Sequence, residues 1–250
     1  MARNQGRIGV ILPASNTNIE PDLALLAPRG ITLHFTRVGG YDVDAIPDEE
    51  VQRRFALESL DGALELLGAA DVDIIAYGCT SATAASGPEF DKHFQAKITA
   101  KAGVPAVTAA GAIVEALKRL KVSRIAFTSP YVAELNKEMI KFISSCDFDV
   151  VSHATVSHNY SSREVGRVTP DVAYQLGQQA DHPQAEALVI SCTDFRSLEA
   201  LEALERDLGK PVVTSNQALM YASLVRLGLD TSAIKAGGRL FTEHSPKAGD

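Results

Sequence analysis

The chain has 250 residues, is 46% apolar and 22% charged, and carries a net charge of −7, the profile of an ordinary globular protein. That acidity argues against a nucleic-acid or membrane-surface role, both of which depend on clustered Lys and Arg; a small anionic substrate held by backbone donors stays compatible with it. No segment combines a basic region, an apolar stretch and a small-residue cleavage site, and no run approaches the ~20 apolar residues of a membrane span, so a cytosolic protein is expected.

In chain order, Arg7–Leu12 is a buried-type strand. Pro13-Ala-Ser-Asn-Thr-Asn18 is a polar loop rich in N-cap residues for a helix that starts near Glu20-Pro21. Ile31–Val38 is the next strand, with Ile31, Leu33 and Phe35 on one side, ended by Gly39-Gly40. From Asp48 to about Ala70 the apolar positions follow one helical face. A buried strand over 72–77 leads to Cys79, and Thr80–Gly87 is small and polar. Ser86-Gly-Pro-Glu89 is a capping-box pattern that opens a helix stopped by Gly103. Strand 104–107 and amphipathic helix 111–120 complete a first unit.

A second unit begins at Val122. Its strand runs into Ser129-Pro-Tyr131, helix 133–145 follows, and edge-type strand 148–156 leads to the polar loop 157–162. Thr169-Pro-Asp opens helix 170–180, with Pro at its first position. Strand 187–191 carries Cys192; helix 195–208, strand 211–213 and helix 216–227 close the unit. The tail after Leu229, with Gly237-Gly238 and a polar end, is expected to be loosely held.

The two units repeat one another. Arg7-Ile-Gly-Val-Ile-Leu-Pro13 matches Arg124-Ile-Ala-Phe-Thr-Ser-Pro130 at an offset of 117 (124 − 7), and the cysteines match at 113 (192 − 79). Gly103-Val-Pro-Ala-Val-Thr108 likewise recurs as Gly209-Lys-Pro-Val-Val-Thr214. This is an internally duplicated α/β unit, with expected domains 1–112 plus 217–250 and 113–216. One thiol ends the third strand of each unit, where open α/β sheets collect ligands among loops and helix N-termini. Backbone donors there would stabilise a thiolate, and Thr80, Ser81 and Thr193 could hold carboxylate oxygens. If the units face each other about a pseudo-twofold axis, Cys79 and Cys192 flank one small molecule. One thiolate then adds to or deprotonates a carbon beside a carboxylate, and the other returns a proton.

A lone strand-end cysteine is more often a small core residue; the matched pair reverses that. Cys146 has no partner in the repeat and reads as a bystander. Asn16 reads equally well as a helix cap or a ligand contact, Tyr131 as a space-filler beside Pro130, and Asn159 as a loop cap. Three cysteines without Cys-x-x-Cys spacing suggest neither a disulfide framework nor a zinc site. His34, His93, His153, His158, His182 and His244 show no metal-ligand spacing, so no metal is expected.

Taken together, Pro13-Ala-Ser-Asn-Thr17, Gly78-Cys-Thr-Ser81, Ser129-Pro-Tyr131, the Asn159 loop and Ser191-Cys-Thr193 resemble the Asp/Glu racemase superfamily, in its maleate cis-trans isomerase and arylmalonate decarboxylase branch. The resemblance implies two similar Rossmann-like (flavodoxin-like) domains with parallel sheets, the active site in the cleft between them, no cofactor, and a homo-oligomer. It makes Cys79 the nucleophile and Cys192 the proton-handling thiol, with Asn16, Tyr131 and Asn159 on the substrate's carboxylates. The implied reaction is thiolate addition to maleate, rotation about the new single bond, and elimination to fumarate. The sequence departs from the maleate isomerases at Thr193-Asp-Phe-Arg196, which leaves Arg196 either over a carboxylate or facing water. Other readings are an aspartate/glutamate- or hydantoin-type racemase using the same pair, a decarboxylase, against which Cys79 argues, and a non-catalytic binding protein.

Overall fold

A computed structural model describes residues 5–45 and 48–243. Its first half holds β1 (Gly6–Pro13), α1 (Ile19–Leu26), β2 (Ile31–Val38), α2 (Glu49–Glu58), α3 (Leu60–Ala69), β3 (Ile74–Tyr77), α4 (Thr80–Ala84), α5 (Gly87–Ala102), β4 (Ala106–Thr108) and α6 (Ala109–Leu120). The second holds β5 (Arg124–Thr128), α7 (Ala133–Ser144), β6 (Asp149–Ala154), α8 (Ser162–Val165), α9 (Pro170–Ala180), β7 (Ala187–Ile190), α10 (Leu201–Leu208), β8 (Val212–Thr214), α11 (Ser215–Arg226) and α12 (Gly238–Glu243). The strands form two parallel sheets in the same order, β2-β1-β3-β4 and β6-β5-β7-β8. The α/β duplication expected from the sequence is therefore present.

The central strands explain their own sequences. Both β3 and β7 are buried at every position, because helices cover both faces of a parallel sheet and no face is left for a polar residue. Edge strand β2 keeps Thr32 and Arg37 exposed. Register then fixes the site. Ile11 pairs with Tyr77 and Tyr77 with Thr108, so β1, β3 and β4 all end at one sheet edge. Thr128 pairs with Ile190 and Ile190 with Thr214 in the second sheet. Each cysteine lies two residues beyond its strand, Cys79 after Tyr77 and Cys192 after Ile190.

Three local expectations change. The single helix over 48–70 is two helices, broken at Ser59, whose hydroxyl and N–H both bond back to the Phe55 carbonyl, a serine back-bond that bends helices. Ser86 precedes α5 without capping it, and its hydroxyl is buried without a partner; Pro88 in the first turn does what the pattern promised. The tail is anchored as far as Glu243. Leu240 and Phe241 are fully buried, the Thr231 hydroxyl donates to the Phe241 carbonyl at 2.9 Å, and Gln217 Nε2 donates to the Gly237 carbonyl at 2.8 Å. His244 and the polar end of the tail lie outside the described residues.

α11 packs on α1 and α6, whereas α12 packs on α10 and β8. We propose that the units divide as 1–112 with 217–250 and as 113–216; the packing of α11 on α1 supports the return of the chain to the first unit. Both division points fall inside helices, α6 and α11, rather than in loops.

Candidate active site

A cavity of about 160 Å³ opens between the carboxyl-end loops of the two sheets. Asn16, Cys79, Thr80, Ser81, Tyr131, Cys192 and Thr193 all line it. Asn159 does not: its side chain is exposed, and its neighbours Tyr160 and Ser162 line the cavity instead. Arg196 lies outside the lining as well. It forks onto Glu199, with Nε to Oε1 at 2.7 Å and Nη2 to Oε2 at 3.0 Å, so of its two readings the surface residue is the observed one. Cys146 is half-buried and is not part of the lining.

The cysteine loops are tied to each other by side chains that follow them. Thr193 Oγ1 donates to the Gly78 carbonyl at 3.0 Å and accepts from Asn16 Nδ2 at 3.0 Å. Asn16 Oδ1 accepts the N–H groups of Asn18 and Ile19, at 3.1 and 3.0 Å, so this residue is both a cap for α1 and a strut to the opposite loop. A Cβ at Gly78 would run into the tip of the Ile19 side chain and lie 3.3 Å from the Ile11 carbonyl oxygen, so a larger residue there requires Ile19 to shift. Asp194 completes the crossing: its Oδ1 accepts from Thr17 N at 2.7 Å, Asn18 N at 3.1 Å and Asn18 Nδ2 at 3.0 Å.

The two thiols sit in different surroundings. Cys79 is half-buried, extended at φ −139°, and its Sγ lies 3.8 Å from Ser81 Oγ. Cys192 is buried, has φ +124°, and its Sγ lies 3.3 Å from the Tyr131 hydroxyl. Tyr131 is held for that contact. Its N–H donates to Ser129 Oγ at 3.2 Å, its carbonyl accepts from Asn136 Nδ2 at 3.2 Å, and Ser129 donates in turn to Asn136 Oδ1. Tyr131 is thus a partner of the thiol, a role its position beside Pro130 does not advertise.

Burial reverses the expectation of a thiolate. It pushes the Cys79 thiol up, against the pull of the Ala82 and Ser81 N–H groups and the Ser81 hydroxyl. It pushes Cys192 up to about 12, opposed by the Tyr131 hydroxyl and reinforced by the negative charge of Asp194. Desolvation of the charged form outweighs the few donors present. Both sulfurs therefore rest as thiols.

The sequence reading missed Ser129, Asn136, Asp194, Ser215 and Asn216, all buried. Ser129 carries a signal, since it falls at the strand end equivalent to Leu12, where an apolar residue would be expected. The others become visible only when loops from distant parts of the chain meet. Among the described residues, no Lys, Arg or His lines the cavity, whereas Asp48, Glu138 and Asp194 do. Among the described residues, no group of three or more His, Cys, Asp or Glu is arranged to hold a metal, and no helix is long and apolar enough to cross a membrane.

A duplicated α/β chain with paired thiols across a cleft defines a class of proteins, and comparison with known members agrees. The arylmalonate decarboxylase family model matches residues 8–241, and the chain belongs to that family. It is 29% identical over 248 residues to a maleate isomerase of Geobacillus stearothermophilus, covering 94% of this chain and 96% of the relative. It is 31% identical over 247 residues to a maleate isomerase of Pseudomonas putida, with the same coverages of 94% and 96%. The fold matches a Nocardia farcinica maleate cis-trans isomerase, solved as a cysteine-to-serine mutant with a covalently bound succinylcysteine intermediate, at a TM-score of 0.86 and 24% identity, covering 95% of this chain and 98% of that one.

Proposed function

We propose that this protein is a cofactor-independent two-cysteine isomerase of a small dicarboxylate, converting maleate to fumarate. The observation that carries this reading is the pair of thiols at equivalent positions of a duplicated chain, lining one cavity in unequal surroundings. The maleate isomerase relatives and the succinylcysteine held by one of them support the substrate.

In the proposed reaction Cys79, the more accessible thiol, first gives its proton to solvent water at the cavity mouth and attacks as the thiolate, taking a proton back from water once the C–S bond has broken. Its sulfur bonds to one olefinic carbon as the π pair moves to the other, and that carbon takes the proton of Cys192. The C–C bond is then single and rotates. Cys192, now thiolate, removes the proton again, and the C–S bond breaks to leave the trans alkene and both cysteines as they began. Tyr131 steadies the charge that forms on Cys192. Ser81 and the backbone N–H groups beside the two thiols hold the carboxylates. Asn16, Thr80 and Thr193 shape that cradle, their side chains being engaged with one another's loops. Asn159 joins only if its loop folds inward. Loss of maleate absorbance with matching formation of fumarate by the purified, reduced protein tests the proposal; no turnover would remove maleate as the substrate.

One observation favours a second reading. Among the described residues the lining holds Asp48, Glu138 and Asp194 and no cation; like-charge repulsion, screened less in a cavity than in water, disfavours a dianion there and suits an ammonium-bearing acid. An amino-acid racemase using the same thiols would introduce solvent deuterium at the α-carbon of a recovered substrate; an unlabelled panel of such acids would eliminate it. Family resemblance further suggests a cytosolic homo-oligomer, and light scattering of the purified protein tests the assembly.

A further inference from the structure

Cys192 occupies a backbone conformation, φ +124°, that side-chain-bearing residues rarely adopt and that persists only where its surroundings hold it. The holding group comes from α11. Ser215, at the first position of that helix and fully buried, accepts the Cys192 N–H on Oγ at 3.0 Å. The same oxygen accepts from Thr80 Oγ1 at 3.1 Å. Thr80 follows Cys79, so one hydroxyl joins the loop of one thiol to the backbone of the other. Next to it, Asn216 Nδ2 donates to the Thr193 carbonyl at 2.9 Å and to Asp22 Oδ2 at 2.8 Å, fixing the following peptide as well.

The repeat shows that this device belongs to one half only. Thr214 corresponds to Thr108, so Ser215 and Asn216 correspond to Ala109 and Ala110 at the start of α6. Among the described residues, no side chain bonds the Cys79 N–H as Ser215 bonds that of Cys192, and the extended Cys79 backbone needs no such restraint. We propose that Ser215 is a positioning residue for Cys192, fixing its strained backbone and coupling it to the Cys79 loop through Thr80. The assignment of Cys192 as the proton-handling thiol rests on the function proposed above; the bridge itself does not.

The test is Ser215→Ala in the full chain, a substitution the fold accommodates because alanine occupies the matching buried position at 109. Iodoacetamide labelling, mapped by mass spectrometry, is expected to modify Cys192 about tenfold faster relative to Cys79 as its loop relaxes, with Cys146 unchanged. With maleate, kcat is expected to fall about tenfold while KM stays within about twofold, because positioning rather than binding is lost. Ser215→Thr, which returns the hydroxyl, should restore the parent labelling ratio. An unchanged Cys192-to-Cys79 ratio overturns the proposal, and so does equal acceleration at all three cysteines, which would report general loosening. A parent protein inactive on maleate would sink the substrate reading and leave the labelling result to decide this one.

Discussion

The two halves of this molecule share strand order, sheet edges and a cysteine two residues beyond the third strand, yet they have been furnished differently. Around Cys79 the equivalent positions hold small groups: Ser81 where the other half has Asp194, and Ala109 and Ala110 where it has Ser215 and Asn216. Around Cys192 a tyrosine, a buried carboxylate and a helix-borne serine converge. Duplication supplies two thiols in one cleft; the differing surroundings leave Cys79 half-buried beside Ser81 and Cys192 buried against Tyr131. A symmetric pair would have no reason to take different parts in an addition. This pair does.

Exchanging the two sulfurs breaks that comparison most severely. Cys79→Ser should lower turnover by about 10⁴ or more, with no covalent adduct, because a hydroxyl at this site is almost never ionised. Cys192→Ser should fall by a similar factor yet trap substrate on Cys79, visible in the intact mass as the parent plus one substrate. Adduct formation on Cys192 in the Cys79→Ser protein would reverse the assignment.

Tyr131→Phe sharpens the difference by removing one of the groups that holds the Cys192 thiol down. The thiol becomes a still weaker acid. The expected loss is about 10–100-fold in kcat, with KM little changed; a rise in KM alone would mean the hydroxyl binds substrate and not sulfur.

Much of this was readable in the one-dimensional chain, and the reason is local. Apolar runs such as Ile74-Ile-Ala-Tyr77 and Ala187-Leu-Val-Ile190 declare strands covered on both faces, and the repeated Cys-Thr marks the strand ends that line the cavity. What was hidden depends on contacts between distant segments. Thr193 looks like a substrate hydroxyl until its bonds to Gly78 and Asn16 are seen, and Ser215 looks like an ordinary first-turn residue until Cys192 and Thr80 meet on its oxygen. Thiol acidity misled for the opposite reason: loop donors are visible in sequence, whereas the desolvation that outweighs them is a property of the closed cavity. The break at Ser59 belongs with these, since one hydroxyl turning back on Phe55 overrides a continuous helical stripe.

Asp22 extends the contrast to stability. It lies on α1 in the first half, yet is buried against Asn216 of α11, and burial raises its carboxyl to about 7. Between pH ~4 and ~7 the unfolded chain has lost this proton and the folded chain keeps it, so the unfolded state binds fewer protons and stability falls as pH rises through that window. Asp22→Asn leaves an acceptor for Asn216 Nδ2 and removes the charge. It should flatten this part of the denaturation profile and raise stability at pH 8 by a few kcal/mol at most. A parallel profile, shifted but with the same slope, would show that Asp22 is not the titrating group.

The smallest effect is expected at Asn159, and it discriminates between a preformed and a closing site. In this structure its amide faces solvent while Tyr160 reaches the cavity. If the site works as it stands, Asn159→Ala changes kcat/KM by less than about twofold, the range of an ordinary surface substitution. Tyr160→Ala should then cost more, since it opens the cavity wall. A loss of about tenfold or more at Asn159, appearing in KM, would instead mean that loop 157–161 folds over the bound acid. The comparison of halves would gain a moving part, because the first unit holds the corresponding corner with Tyr41, anchored on Ser15 at 2.8 Å.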